Sequence, residues 1–300
     1  SSTPVFASCN IGVKIVTPIT GMTFTEDKEL NQLGYGQEYQ IKYTLDPVDA
    51  TASLLTWTSD NPDMISVDKT GKLKVHTTKA ASAVITASYG PVVQNVTVTV
   101  ADGRFWYSLG NGLGNGLDNN WYLDGNNASV VSSDGNKTTV QMGSGYRGDL
   151  WLARSGKGKI VNVTPTDYRY FAIKVGFKSQ LVPGKNKPNG CIKLEIFDDG
   201  IKKIGPEYFG TGGDANNRYE ILGASEISTT EPNVLYYDLQ SKYKTVTPTD
   251  WNQVFDLVQC KFVIADFPET AQTYDLYWIR SFKSIEELQA FVDSENNTNE

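Results

Sequence analysis

The only histidine of this 300-residue chain is His76, in its first third, so a Ser-His-Asp or Cys-His engine cannot be built among the aromatic-rich residues further along. A His-rich metal centre is excluded for the same reason. Carboxylates remain, because glycoside hydrolysis needs only an acid and a base or nucleophile facing each other across the bond. The best segment for that is Lys193-Leu-Glu-Ile-Phe-Asp-Asp199. In a strand, however, Glu195 shares a face with Lys193 and Phe197 while Asp198 points the other way. Phe197 stands where a second carboxylate would be needed. Glu195 therefore reads as a strand residue, and Asp198-Asp199-Gly200 as a turn. Asp149, Glu207 and Asp214 cannot be paired from sequence. The run Gly110-Asn-Gly-Leu-Gly-Asn-Gly116 has no Lys-Ser/Thr behind it and no helix start, which excludes a phosphate loop.

Binding requires less machinery than catalysis. Sugar rings stack their C–H faces on Trp and Tyr, while Asn, Asp and Arg bond the hydroxyls at the edges. Two clusters carry these residue types among glycines: Asn119-Asn120-Trp121-Tyr122-Leu-Asp124 and Gly145-Tyr146-Arg147-Gly148-Asp149-Leu-Trp151. Trp121, Tyr122, Tyr146, Arg147, Asp149 and Trp151 are the candidate ligand residues, with Trp121 the leading exposed platform. For Trp151, Leu150 and Leu152 occupy the opposite strand face and form the competing buried set. Arg147 and Asp149 could equally form a structural ion pair. Trp106 and Trp278, inside strands, read as core. No cofactor is indicated; a structural calcium could be held by Asp118, Asp124 and Asp134, which lack a recognisable ligand spacing.

Composition bounds the rest. With 27 Lys+Arg against 34 Asp+Glu the net charge is -7, and the basic residues are scattered, which argues against nucleic acid or an anionic membrane as partner. No apolar run is long enough to span a bilayer. The chain starts without Met or a charged-then-apolar leader, so any export signal is expected to have been removed. Cys9, Cys191 and Cys260 have no metal spacing and read as buried thiols, a Cys191–Cys260 bridge being the alternative. Asn-x-Ser/Thr sequons at Asn95, Asn127, Asn136, Asn162 and Asn296 suit exposed positions of an extracytoplasmic protein.

The elements that position these residues are strands. The chain has 16 Tyr, 12 Phe and 6 Trp with 27 Gly for turns, and helical periodicity is nearly absent. Residues 55 to 75 are the clearest hairpin series: Trp57 ends a strand, Ser59-Asp60-Asn61-Pro62 turns, Ile65 and Val67 alternate, and Asp68-Lys69-Thr70-Gly71 turns again. Together with Gly36, Pro47, Ala50, Ile85-x-Ala87 and Val96-x-Val98-x-Val100, this spacing resembles the bacterial immunoglobulin-like group 2 domain over roughly residues 18 to 101. Where that family carries a glycine before the Ile-x-Ala strand, this chain has Lys79-Ala80-Ala81. The resemblance implies a spacer or adhesion module of a bacterial surface protein.

Residues 1–17 are expected to be a strand or connector, 18–102 the immunoglobulin-like domain and 103–293 a second domain, with 294–300 frayed. Phe6-Ala7-Ser8-Cys9 faintly resembles a lipoprotein cleavage site, without the apolar helix that would precede one. Ala101-Asp102-Gly103-Arg104 reads as a short polar connector. Beyond it, strands are predicted over 138–142, 149–153, 170–177, 191–197, 235–238, 259–264 and 274–282, a jelly-roll sandwich rather than an up-and-down barrel. Ser284-x-x-Glu287 predicts a capping box opening a helix to about Val292, with Ile285, Leu288 and Phe291 on one face. This closing strand and helix behind such a module resemble C-terminal domains of Bacteroidetes surface proteins that look like carbohydrate-binding jelly rolls. The expected whole is all-β: an immunoglobulin-like sandwich, then a larger jelly roll with one short helix. The function implied is non-catalytic binding of a polysaccharide or oligosaccharide by a monomer at the cell surface. The alternatives are a jelly-roll hydrolase or lyase, or a purely structural or adhesive module.

Overall fold

A computed structural model describes residues 15–116, 120–124, 128–143, 148–154, 161–180, 193–198, 219–240, 254–264 and 272–297. The first nine strands are β1 (Gly21–Phe24), β2 (Leu33–Tyr35), β3 (Glu38–Gln40), β4 (Tyr43–Asp46), β5 (Thr56–Ser59), β6 (Ile65–Val67), β7 (Lys72–Val75), β8 (Ala81–Tyr89) and β9 (Val92–Ser108). Their ladders, β1–β4, β3–β7–β6 and β5–β8–β9, enclose an apolar cluster that includes Ile41, Trp57, Ile65, Leu73, Ile85 and Val98. The turn chemistry acts as the sequence predicts. Asp68 Oδ1 accepts from the Thr70 and Lys72 amides at 2.7 and 3.0 Å, and Gly71 takes φ +82°. A Cβ on Gly71 would stand 2.6 Å from the ring of Trp57, so the turn is glycine for space as well as for φ. Where the glycine before β8 is missing, the Ala80 amide donates to Asp102 Oδ1 at 2.5 Å.

The expected connector at 101–104 lies inside a strand. β9 runs 17 residues without a break: Val92–Val100 pairs with β8, and Trp106–Ser108 pairs with the last strand of the chain. A polar stretch with a glycine reads as a linker only while its backbone partners are unknown. Here the Gly103 amide donates to Thr78 O at 2.9 Å, the Phe105 amide to Ser281 Oγ at 2.8 Å, and Thr164 Oγ1 to Asp102 O at 2.8 Å. Arg104 is buried; it pairs with Glu29 Oε1 at 2.9 Å and donates to Gln32 O. Asp27 caps the 3-10 turn that presents Glu29, and a hydrogen bond from Tyr39, then the Glu29 amide and Lys42, lower its carboxyl to about 2. Asn162, a sequon by sequence, is only 2 % exposed and bonded to Thr78 at this junction, which corrects its expected surface placement. Asn95, Asn136 and Asn296 are exposed, and Asn127 lies outside the described residues.

The second unit is a sandwich of two sheets. Its strands are β10 (Tyr122–Asp124), β11 (Ser129–Ser133), β12 (Thr138–Gln141), β13 (Gly148–Ala153), β14 (Val161–Val163), β15 (Tyr170–Phe177), β16 (Lys193–Asp198), β17 (Glu220–Ile221), β18 (Asn233–Asp238), β19 (Phe255–Ile264) and β20 (Thr273–Phe282). One sheet runs β17-β18-β15-β20, and β20 then pairs with both β12 and β9; in the other, β19 pairs with β13, β14 and β16, and β10 pairs with β13. The ladders between these strands are antiparallel, Gly114 and Tyr122 forming an isolated parallel bridge, and between the sheets lie Phe105, Trp121, Phe171, Phe177, Tyr237, Phe262 and Tyr274. Cys260 is buried there; Cys9 and Cys191 lie outside the described residues.

A bulge in β20 decides what stands on each side of that strand. Lys174 is opposite Trp278 but Val175 is opposite Leu276, so Tyr277 is an extra residue and the alternation changes phase. Leu276 and Ile279 both enter the inter-sheet core, while Ala172, Trp278 and Phe282 form a second cluster with Leu288. They lie beneath α1 (Ile285–Asn297). Trp278 is thus buried as expected, but under the helix rather than between the sheets. The Glu287 amide donates to Ser284 Oγ at 3.2 Å, and Glu287 Oε2 accepts from the Lys283 amide at 2.7 Å, one residue before the position the capping box predicts. The helix continues to Asn297 where fraying was expected, because Glu295 accepts from Trp278 Nε1 at 3.1 Å and Lys174 Nζ at 3.2 Å.

Two predictions follow from the junction and from His76. Gly103 holds φ +68° with a Cβ position 2.6 Å from Thr164 N, whereas Gly90 holds φ +55° with open space around it. Gly90→Ala should cost about 1 kcal/mol from φ alone, and Gly103→Ala about 3 kcal/mol or more, read as denaturant midpoints. His76 Nε2 is 2.8 Å from Ser66 Oγ; burial first, then Lys74, lowers its pKa below the ordinary 6.5. The unfolded chain therefore binds the proton more readily, so stability present above 6.5 should erode as pH falls through and below it. The imidazole NMR titration should have its midpoint under 6.5, and His76→Gln should remove that part of the pH dependence.

Candidate functional site

The structure brings three of the six sequence-predicted ligand residues together. Tyr122 lies opposite Trp151, and Asp124 opposite Asp149, in the β10–β13 ladder; Trp151 lies opposite Lys261 on β19. Paired positions share a sheet face, so Tyr122, Trp151 and Lys261 project together. This cluster is packed rather than open. Lys261 Nζ is 2.9 Å from Asp149 Oδ2, both side chains being under a tenth exposed, and it stands 4.3 Å from the Trp151 ring centre. The Arg154 guanidinium is 5.0 Å from the same ring and pairs with Asp124. Trp151 is therefore a partner for protein cations, a use of its π faces that competes with a sugar. Tyr122 is half-buried, and burial raises its hydroxyl pKa.

Trp121, read from the sequence as the leading exposed platform, is fully buried; its ring centre lies 5.6 Å from that of Phe262. The glycine run explains the reversal. Gly110 has a Cβ position 2.2 Å from Gly135 O, and the Gly114 amide donates to Trp121 O at 2.6 Å, so the glycines fold the loop inward over the core instead of lifting the tryptophan off it. Tyr146 and Arg147 lie outside the described residues, as does Asp118. Asp124 has its ion pair, and Asp134 caps a turn by accepting from the Asn136 and Lys137 amides at 2.9 and 2.8 Å. Among the described residues no three His, Cys, Asp or Glu side chains cluster as a metal site needs. Glu195 lies opposite Lys261 in the β16–β19 register.

A concave site forms instead where the two units meet. A cleft of about 490 Å³ has Trp106, Asn111 and Asn120 from the sandwich on one side, with Arg280 at its border, and Lys72 and Lys74 from the immunoglobulin-like unit on the other. Trp106 projects to this side because Phe105 and Tyr107, its strand neighbours, enter the inter-sheet core. Its ring lies 4.7 Å from the Arg104 guanidinium and 4.4 Å from that of Arg280, and it remains partly exposed. Tyr107 Oη donates to Asn120 Oδ1 at 2.7 Å, which fixes the asparagine at the wall. Gly36 is the hinge of this geometry: its φ is +78° and a Cβ there would fall 2.0 Å from the Tyr107 ring. The bulge in β20 delivers Arg280, whose guanidinium lies 4.2 Å from the Phe291 ring centre; burial first lowers its pKa to about 10.

Of the cleft residues only Asn120 stands in a segment the sequence marks for binding; Trp106, expected in the core, is partly buried, packing on Phe282 and Phe291 at 5.7 and 5.1 Å while part of its ring reaches the cleft. A usable signal existed: Phe105-Trp106-Tyr107-Ser108 alternates, so one of the two aromatic sets had to leave the core. Trp121→Ala should lose about 3–5 kcal/mol of stability as a core truncation. A change in denaturant midpoint under about 1 kcal/mol would place Trp121 outside the core.

None of the curated proteins matches this chain. Among solved structures, the M60 catalytic domain with two CBM51 domains of Clostridium perfringens ZmpB aligns with 90% of this chain and 23% of that one, at 13% identity and TM-score 0.23. The CBM51-2 and INT domains of the same protein align with 86% of this chain and 48% of that one, at 11% identity and TM-score 0.19. Domains 4–9 of the surface layer protein SbsC align with 87% and 47%, at 13% identity and TM-score 0.20. The chain spans less than half the length of each, and superpositions this loose leave the fold assignment to the strand pairing itself. No helix among the described residues is long and apolar enough to cross a membrane. A family model matches residues 112–288, more than half the chain, from within the glycine run to the first turn of α1. The chain belongs to that family, described as a domain of unknown function (DUF4979).

Proposed function

We propose that this protein binds a saccharide without transforming it, in the cleft between its two units, and that it works as a monomer on the outside of a bacterial cell. The first unit would be a group 2 immunoglobulin-like spacer and the second a surface domain of the kind found in Bacteroidetes. The observation that carries the reading is the partly exposed Trp106 beside Asn111 and Asn120 in a cleft of about 490 Å³, within the size range of small-ligand pockets. The Arg104 and Arg280 guanidinium groups and the Phe291 ring fix the indole in place, and unlike the buried Trp151 it keeps part of its ring exposed, so packing a sugar against that part costs little ordering entropy. The exposed Asn111 amide supplies a donor and an acceptor for adjacent hydroxyls.

Affinity electrophoresis and calorimetry against a polysaccharide panel test this. Trp106→Ala should weaken binding by about 30-fold, the loss of roughly 2 kcal/mol that a stacking tryptophan contributes. Asn111→Ala, at an exposed position, should weaken it about fivefold with an unchanged melting curve, as a lost hydrogen bond does. If both variants bind as wild type while Tyr122→Ala does not, the site is the β10–β13 cluster and the cleft assignment is wrong. Release of reducing ends from any panel member would replace the binding reading with hydrolysis.

A further inference from the structure

The charge of the cleft is opposite to that of the chain. The protein carries -7 overall, yet Lys72, Lys74 and Arg280 line this one concavity with Glu38 as the one lining carboxylate among the described residues. Glu38 is engaged by Lys72, whereas Lys74 has no ion pair among the described residues. Arg280 is the more telling group. Its side chain is 14% exposed, its buried Nε has no hydrogen-bond partner among the described residues, and the Glu295 carboxylate stands 3.9 Å from Nη1. The rings of Trp106, Phe291 and Trp278 surround the guanidinium at 4.4, 4.2 and 5.3 Å between charge and ring centre.

Aromatic faces hold a cation in place but do not satisfy its N–H donors. A buried guanidinium with an idle donor is costly, and natural structures keep such a group when something else completes it. The second guanidinium beside Trp106, that of Arg104, adds positive potential rather than relief. An oxyanion entering the cleft would find Lys74 and the exposed margin of the Arg280 side chain in its lining, two positive groups that suit a carboxylate or sulfate.

Resting on the saccharide reading above, we infer that the cleft is selective for an acidic saccharide, with Arg280 and Lys74 receiving a ring carboxylate or sulfate while Trp106 stacks the sugar that bears it. A uronic acid and a sulfated galactose present the same charge to these residues, so the two sources are separated by the probes. In affinity electrophoresis at low salt, polygalacturonate, carrageenan and a neutral galactan are compared on wild type, Lys74→Gln and Arg280→Lys. The acidic member that binds should bind at least tenfold tighter than galactan, lose that margin in 0.5 M NaCl, and lose about tenfold in either variant. Equal affinity for galactan, or acidic binding that both variants leave intact, overturns the selectivity while leaving saccharide binding in place.

A second arm needs no sugar. Sodium sulfate titrated into the wild-type protein should give saturable NMR shifts at the Trp106 indole N–H and the Arg280 Nε–H, absent in Lys74→Gln. Those shifts together with a silent polysaccharide panel support the anion site and refute the saccharide reading. Absence of shifts together with no acidic preference refutes the anion site. Lys74 is partly exposed on β7 and outside both buried cores, so its variant tests recognition even if Arg280→Lys proves unstable.

Discussion

The unbroken run of β9 through Ala101–Arg104 is the constraint on which the molecule depends. β9 pairs with β8 up to Val100, with β2 at Val100 and Phe105 and with β20 from Trp106, and the residues between are held by the bonds of Gly103 to Thr78 O, of Thr164 to Asp102 O and of Arg104 to Glu29. The two hydrophobic clusters are therefore set at a fixed offset by covalent geometry, and Tyr35 crosses from the first unit to stack on Tyr107 at 5.6 Å. Everything polar at the junction serves that continuity. Arg104 is satisfied by Glu29 and Gln32 O, Asn162 by Thr78 and Asp256, and Gly34, Gly36 and Gly103 occupy positions where any Cβ would strike the neighbouring unit. A cleft bounded by two units keeps its shape only if the units do not swing, and this junction supplies that rigidity.

The same constraint accounts for the site. Trp106 and Arg280 share a sheet face because they are directly opposite in the β9–β20 ladder. They face the cleft and the helix rather than the core because β20 carries one extra residue at Tyr277. Helix α1 completes the wall: Phe291 covers the Arg280 guanidinium, and Glu295 ties the last turn to Trp278 and Lys174. Without the helix the outer face would expose Trp278 and Phe282, which are now 3% and 0% exposed. The family model begins at residue 112, yet the sandwich takes its Phe105–Ser108 strand from β9 and its Tyr35 from the first unit, so the folded second unit is larger than the matched segment.

Residue type and spacing determined a good deal. Strand alternation located most of the sandwich strands within a residue or two, Gly71 and Asp68 defined their turn, Ser284 and Glu287 opened the helix, and the single histidine excluded whole classes of catalysis. These are local effects, carried by φ preferences and by hydrogen bonds spanning a few residues. What lay out of reach was relative placement. Glycines around Trp121 signalled an exposed loop, although the same residue type also permits a loop to collapse onto a core, and only the approach of Gly110 to Gly135 discriminates. A glycine-bearing polar stretch signalled a linker and is a paired strand. Asp149 and Trp151, candidate ligand residues by sequence, are both engaged by Lys261, 110 or more residues away. The bulge at Tyr277 decided whether Arg280 would meet Trp106, and a bulge is set by how two strands fit over a core, a property of the assembled sheet that no single segment encodes.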